Sequence, residues 1–326
     1  MSLELILPLL QPIAPLLTDP DVSEIMVNGG QQVFVERCGE LQQVPAVTLD
    51  ERHMLIAIKT IARLLGDDVS NERPVLDARL PDGSRVAVVL PPCSVDGPTL
   101  TIRKFRARRW TSEELVGTGM LTNDMVARVA GTLASGGHIL VSGGTSTGKT
   151  TLLNAFVGLL PWSSRIVLVE DTAELVVSQP NVVRLEARRT QPDAPAITIR
   201  DLVRASLRHC PDHLIVGEVR GAEAIDLLQA LNTGHGASLC TIRANSATEA
   251  LTRLATSALQ SEVALPYRVV RRLVRQSIAF VVHLDRQQGK RCVTEMLSVS
   301  STTRSQQGVC SRNGRARPSP GSPADP

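Results

Sequence analysis

A chain of 326 residues is too long for one ordinary hydrophobic core and points to about two domains. Hydrophobic residues make up 43% and aromatic ones 2%, which excludes global disorder and leaves Leu, Val, Ile and Ala to fill a parallel α/β interior. A formal net charge of +3 excludes the heavy basic bias of a dedicated nucleic-acid coat.

The opening segment LELILPLLQPIAPLL is apolar but interrupted by Pro8, Pro12 and Pro15, and it carries Glu4. It falls short of a spanning helix and lacks a basic leader and cleavage site, so it reads as a buried or partner-facing segment. EIMVN, QVFVE, SRVAVVL and TLTIRKF then have strand character, and HMLIAIKTIARLLG has helical apolar spacing with Gly66 as its stop. Asn28-Gly29-Gly30 and Pro81-Asp82-Gly83 mark turns. Residues 1–106 are thus expected to form a small α+β domain. RKFRARR and the stretch to Met120 suggest a linker over 107–120, either a solvated basic connection or a lipid or nucleic-acid patch.

From 121 to 297 the pattern is regular α/β. MVARVAGTLAS, KTTLLNAFVGLL, DLVRASLRH, AEAIDLLQALN and ATEALTRLATSAL read as helices between the apolar strands HILVS, RIVLVE, VVRLE, HLIVG and SLCTI. This alternation implies a mainly parallel sheet covered on both faces. Residues 298–326, rich in Ser, Gly, Pro and Arg, are expected to be a disordered, solvated tail. The six cysteines show no C-x-x-C pair, and His209 and His213 frame Pro211, so a reducing compartment without structural zinc is expected.

The chemistry concentrates at Gly143-Gly144-Thr145-Ser146-Thr147-Gly148-Lys149-Thr150, a G-x-x-x-x-G-K-[ST] loop between a strand and a helix. Its backbone N–H groups and the helix's positive end suit phosphate oxygens; Lys149 adds a point charge and Thr150 a Mg²⁺ ligand. Of the 35 basic residues only Lys59, Lys104, Lys149 and Lys290 are lysines, which sharpens the signal. Carboxylates follow two buried strands: Glu170, with Asp171 and Glu174 after it, and Glu218. A carboxylate there needs metal, water or a donor; Asp171-Thr172 equally suits a turn, and Glu170 or Glu218 a structural cap. Arg243 ends SLCTI, where its fork of donors suits a γ-phosphate. His235 lies in a Gly-flanked loop and suits either the site or a helix C-terminus.

VSGGTSTGKTTLLNA, VEDTAEL, LIVGEVRGAEAIDLLQALNTGH and TIRANS, in this order, resemble the bacterial type II/type IV secretion ATPase superfamily, and within it the ATPases of tight-adherence pilus assembly and conjugative secretion. The likeness spans about residues 19–297. It implies a RecA-like P-loop NTPase domain preceded by the smaller α+β domain, and a homo-hexamer at the cytoplasmic face of the inner membrane. That motor would be bound to a platform protein there and drive pilus assembly or protein secretion. It implies ATP and Mg²⁺, with Gly143 to Thr151 on the nucleotide, Arg103 and Lys104 reaching it from the front domain, and His235 in the histidine box. Lys149, Glu170 and Glu218 would be catalytic; Thr150, Asp171 and Glu218 would face the metal. Two positions depart from the family pattern. Arg243 stands where a second histidine is usual, and Ala237 where a glycine is. Arg is permanently charged, so it can sense phosphate but not exchange protons. A nucleotide-binding subunit with weak or no hydrolysis is therefore the second reading. A nucleic-acid motor is the third, disfavoured by the shortage of aromatic side chains for base stacking; no specific nucleic acid is expected.

Overall fold

A computed structural model of the chain describes residues 7–29, 31–80, 82–105, 109–190, 194–232, 234, 236–287 and 289–299. Gly30 and Pro81 of the expected turns, three residues of RKFRARR, His235 and nearly all of the expected tail lie outside the described residues.

The first part of the chain builds one antiparallel sheet. After a short helix α1 (Ala14–Thr18) come β1 (Val22–Asn28), β2 (Gln32–Arg37), β3 (Glu40–Gln43), helix α2 (Glu51–Leu64), β4 (Val75–Arg79), β5 (Arg85–Val89) and β6 (Thr99–Arg103). The strand order is β3-β2-β1-β6-β5-β4, every pairing antiparallel. α2 buries Met54, Ala57, Ile58, Ile61 and Ala62, the i, i+3, i+4, i+7, i+8 stripe that its sequence advertised. Its N-terminus is capped by Asp50, which accepts the His53 N–H at 3.1 Å. Of the two readings of the opening segment, burial holds: Leu10, Ile13 and Leu17 join Ile25, Val27 and Ile102 in one core. The strands β3 and β4, polar and mixed in sequence, were not among those expected.

Then follow α3 (Ser112–Gly117), α4 (Asn123–Ala134), β7 (His138–Gly143), α5 (Lys149–Val157), β8 (Ile166–Glu170), β9 (Val182–Glu186), α6 (Ile199–Ser206), β10 (His213–Val219), α7 (Glu223–Leu231), β11 (Leu239–Arg243), α8 (Ala247–Ala258), α9 (Tyr267–Ser277), β12 (Ile278–Gln287) and β13 (Lys290–Ser298). The stretch expected as a linker thus contains α3, held by a Thr111/Glu114 capping box and burying Leu115. The second sheet runs β13-β12-β7-β11-β10-β8-β9; its pairings are parallel except β12–β13. Its inner strands β7, β8, β10 and β11 are largely apolar on both faces because both are covered. Leu140, Val167, Val169 and Val216 pack under α6 to α9, whereas Ile139, Val141, Leu168 and Ile215 pack under α3 to α5. Among the described residues no helix is long and apolar enough to cross a membrane.

Phe156 of α5 is the largest fully buried side chain, 0% exposed. Phe156→Ala is expected to cost about 3–5 kcal/mol of stability in a denaturant titration, through lost burial and the cavity left behind.

Candidate functional site

The C-terminal ends of the parallel strands bring the sequence-distant residues together. β7 leads into the loop 144–148, and α5 begins at Lys149. Gly143 and Gly148 are glycines for physical reasons. A Cβ on Gly143 would lie 2.6 Å from the Leu284 carbonyl oxygen and 2.7 Å from the Thr147 Oγ1, and Gly148 sits at φ +97°, in the left-handed region. Thr147 Oγ1 donates to the Gly144 carbonyl at 3.0 Å and Arg286 Nη2 to that of Ser146 at 3.2 Å, so the loop is held from within and from β12. Thr145 and Ser146 are exposed, while Gly144 and, in the first turn of α5, Thr150 and Thr151 are half-buried.

Lys149 is only 8% exposed, and its Nζ donates to the Gly144 carbonyl at 2.6 Å. Burial pushes its pKa down, and the charges of Arg243, Arg220 and Arg103 push the same way against that of Glu218. Arg103, the last residue of the front sheet's β6, is thus near enough for its charge to act on Lys149. Lys104 turns elsewhere: its Nζ donates to the Asp19 carbonyl at 2.5 Å, within the front sheet's own part of the chain.

Glu218 is the hub of the charged groups. Its Oε1 accepts from Arg243 Nε at 2.7 Å, and its Oε2 from Arg220 Nε at 2.6 Å. Arg220 also reaches Asp171 Oδ2 at 3.0 Å. Burial would raise the Glu218 pKa, but the hydrogen bonds from Arg243 and Arg220 outweigh it and hold the carboxyl below the usual range. Arg220 was not singled out in the sequence. The signal was there: Glu218 and Arg220 are two residues apart at a strand end and share a face. Arg243 spends its Nε on Glu218 rather than standing free.

Glu170 is 3% exposed, and its Oε1 accepts the N–H groups of Glu174 and Leu175, each at 2.9 Å. Burial pushes its pKa up, and these two hydrogen bonds pull against it. The carboxylate thus caps the segment that follows its own strand, and the neighbouring Asn154 of α5 accepts the Val176 N–H at 3.2 Å. His235 is outside the described residues. Ala237 and Ser238 after it lie at the N-terminal ends of the strands, where His213 Nδ1 bonds the Ala237 carbonyl at 2.6 Å and the Ser238 N–H donates to His138 Nδ1 at 3.0 Å.

Among the described residues no group of three or more His, Cys, Asp or Glu is placed to hold a metal on its own. Thr150, Asp171 and Glu218 offer oxygen atoms, the donor type Mg²⁺ prefers, although Arg220 and Arg243 bond to the Glu218 and Asp171 carboxylates in this structure. A cavity of about 670 Å³ lined by Thr118, Gly119, Gln287, Lys290, Arg291 and Cys292 opens beside the loop, where Met120 and Arg291 flank Gly148.

Comparison with known proteins gives the chain its family. A family model described as type II/IV secretion system protein matches residues 9–318, beyond both ends of the likeness read from the motifs. The chain is 36% identical over 310 residues to the type IV secretion system protein PtlH of Bordetella pertussis, covering 86% of this chain and 90% of PtlH. The crystal structure of the VirB11 ATPase of the Brucella suis type IV secretion system, in complex with sulphate, is 31% identical, with a TM-score of 0.50 over 90% of this chain and 94% of that one. The Legionella pneumophila ATPase DotB, 21% identical, shares the fold at a TM-score of 0.60 over 90% of this chain and 80% of its own. With a family match over most of its length and a relative at this identity, the chain belongs to the type II/IV secretion system protein family.

Proposed function

We propose that the chain is an ATP-hydrolysing motor for protein secretion or pilus assembly, with a RecA-like P-loop domain over 121–297, a front domain over 1–106 and a connection at 107–120. The observation that carries this reading is the buried ammonium of Lys149 at the start of α5, beside a loop whose glycines leave room for phosphate oxygens. In the relative VirB11 a sulphate, a tetrahedral anion like phosphate, accompanies the same family of folds. Bound Mg²⁺ would supply neutralisation of the phosphate charge, with Thr150, Asp171 and Glu218 as its protein-side oxygen donors. The chain's own work is positional. Loop N–H groups and Lys149 orient the phosphates, Arg243, Arg220 and Arg103 offset developing negative charge, and Glu170 or Glu218 holds the attacking water. The test is phosphate release with magnesium ATP: saturable turnover is expected, and silence of both single subunits and assembled rings would overturn the reading.

The second reading, a nucleotide-binding subunit with little hydrolysis, is favoured by one observation. Arg243 ties up Glu218 Oε1, the oxygen a metal or water would need. A silent wild type with an active Arg243→His variant would establish it; an active wild type that Arg243→His alters by less than about tenfold is expected instead.

A homo-hexamer at the cytoplasmic face of the inner membrane, working with a platform protein, completes the proposal. α9 supports contact with an anionic surface: Arg268, Arg271, Arg272 and Arg275 form an exposed i, i+3, i+4, i+7 stripe, with no salt bridge among the described residues. Like charges at these spacings repel one another, and Arg268 sits at the unfavourable positive end of the helix. Binding to vesicles containing anionic lipid, absent with neutral lipid and lost at high salt, is expected in sedimentation. Replacing the four arginines by alanine should weaken it by about 1 kcal/mol per residue.

A further inference from the structure

We propose that Arg79 is a positioning residue: from the edge of the front sheet it fixes the peptide of Ala173, and through it the segment whose amides hold the Glu170 carboxylate. The inference rests on the motor reading above and adds how the front domain reaches the acid of the site.

β4 is an edge strand of the front sheet and β9 an edge strand of the second. Their last residues meet: Arg79 Nη1 forms an ion pair with the Glu186 carboxylate. The pair brackets a single residue. Arg79 Nη2 donates to the Ala173 carbonyl at 3.3 Å, while Glu186 Oε1 accepts the Ala173 N–H at 3.3 Å. The next two amides, of Glu174 and Leu175, both donate to Glu170 Oε1. Glu186 is also the register partner of Glu170 across β8 and β9. Arg184 of β9 adds a fourth hold, its Nη2 donating to the Leu175 carbonyl at 2.7 Å, so residues 173–175 are held by four charged groups from three strands, one of them supplied by the front sheet.

Two features argue for more than a surface tether. The Nε of Arg79 is buried without an acceptor among the described residues, a costly state that an arginine free to relax would avoid. And a plain tether already exists beside it, because Asp77 of β4 pairs with Arg189 at 2.8 Å without touching the 173–175 segment. Movement of the front sheet would therefore pull on the Ala173 peptide through Arg79, changing the amides presented to Glu170. Such a contact transmits a rigid-body shift to the acid without any residue of the front sheet touching the nucleotide there.

The experiment compares Arg79→Ala, Arg79→Lys and Asp77→Asn in the full chain, reading ATP turnover and hydrogen exchange at the amides of Glu174 and Leu175. Arg79→Ala should lower kcat by on the order of tenfold or more, with KM for ATP within about threefold, and should speed exchange at both amides. Arg79→Lys keeps the charge and one donor and should recover part of kcat. Asp77→Asn should leave kcat within about twofold. Equal losses in Arg79→Ala and Asp77→Asn would reduce Arg79 to a tether and overturn the proposal, as would unchanged turnover or unchanged exchange in Arg79→Ala. A wild type that releases no phosphate overturns the motor reading instead, and amide exchange still decides whether Arg79 sets the segment.

Discussion

Lys149→Ala is expected to lower phosphate release by a factor on the order of 10²–10³ and to abolish the stabilisation that magnesium nucleotide confers. The ammonium is buried and lies in the field of three guanidiniums, against which Glu218 works, so it occupies a place where a cation is unfavourable until a polyanion arrives. Among the described residues its hydrogen-bond partner is the Gly144 carbonyl, a neutral acceptor that a phosphate oxygen can displace. The same physics predicts the opposite effect without ligand. Removing a buried charge repelled by Arg243, Arg220 and Arg103 should leave the thermal midpoint of the nucleotide-free chain unchanged or raised. Single-turnover phosphate release and thermal melts with and without nucleotide check both parts. Full activity in the alanine variant would remove Lys149 from the site.

Glu218→Gln should separate binding from turnover. The carboxylate neutralises Arg220 and Arg243 directly and steadies Lys149. Without its charge Arg243 and Lys149 lose their acidic counterpart and Arg220 keeps only Asp171, so nucleotide should bind as tightly as in the wild type or more so. Turnover should fall on the order of 10²–10³-fold, because the amide cannot supply an anionic oxygen to metal or water. Equilibrium titration and turnover measured on one preparation read the two effects. The pH dependence has a definite sign. The folded-state pKa of Glu218 lies below its ordinary 4.5, so its ion pairs stabilise the nucleotide-free chain above that pH and fade as pH falls through the lowered value. Glu218→Gln should flatten that part of the acid limb. A variant that hydrolyses like the wild type would transfer the acid role to Glu170.

The glycine-rich loop between β7 and α5 was legible as a unit because its pattern is local. Eight consecutive residues, a strand before them and a helix after them carry the whole signal, and no distant part of the chain is needed to recognise it. The helix α2 and the buried strands β7, β8 and β10 were legible for the same reason, since a stripe or an unbroken apolar run is a property of a short window. The hairpin β12–β13 was not expected. Its outer strand is mixed in character, and its inner strand is long because it pairs on both sides, with β7 and with β13. β4 was missed as well, and with it Arg79, an ordinary charged residue in VLDAR until the edges of two sheets are seen to meet.

Residue order along the chain thus marks which groups of this protein are candidates to meet a phosphate and which acids end its strands, because backbone conformation and burial period are encoded over a few residues. Which of those groups touch is a matter of strand order. The sequence β7-β11-β10-β8 sets Arg243 on one side of Glu218 and Asp171 on the other, with Arg220 closing the gap, although these residues span 73 positions of the chain from Asp171 to Arg243. Pairing between strands so far apart depends on the packing of the entire sheet and on the helices that cover it, so folding alone turns those scattered charges into a single ionic hub.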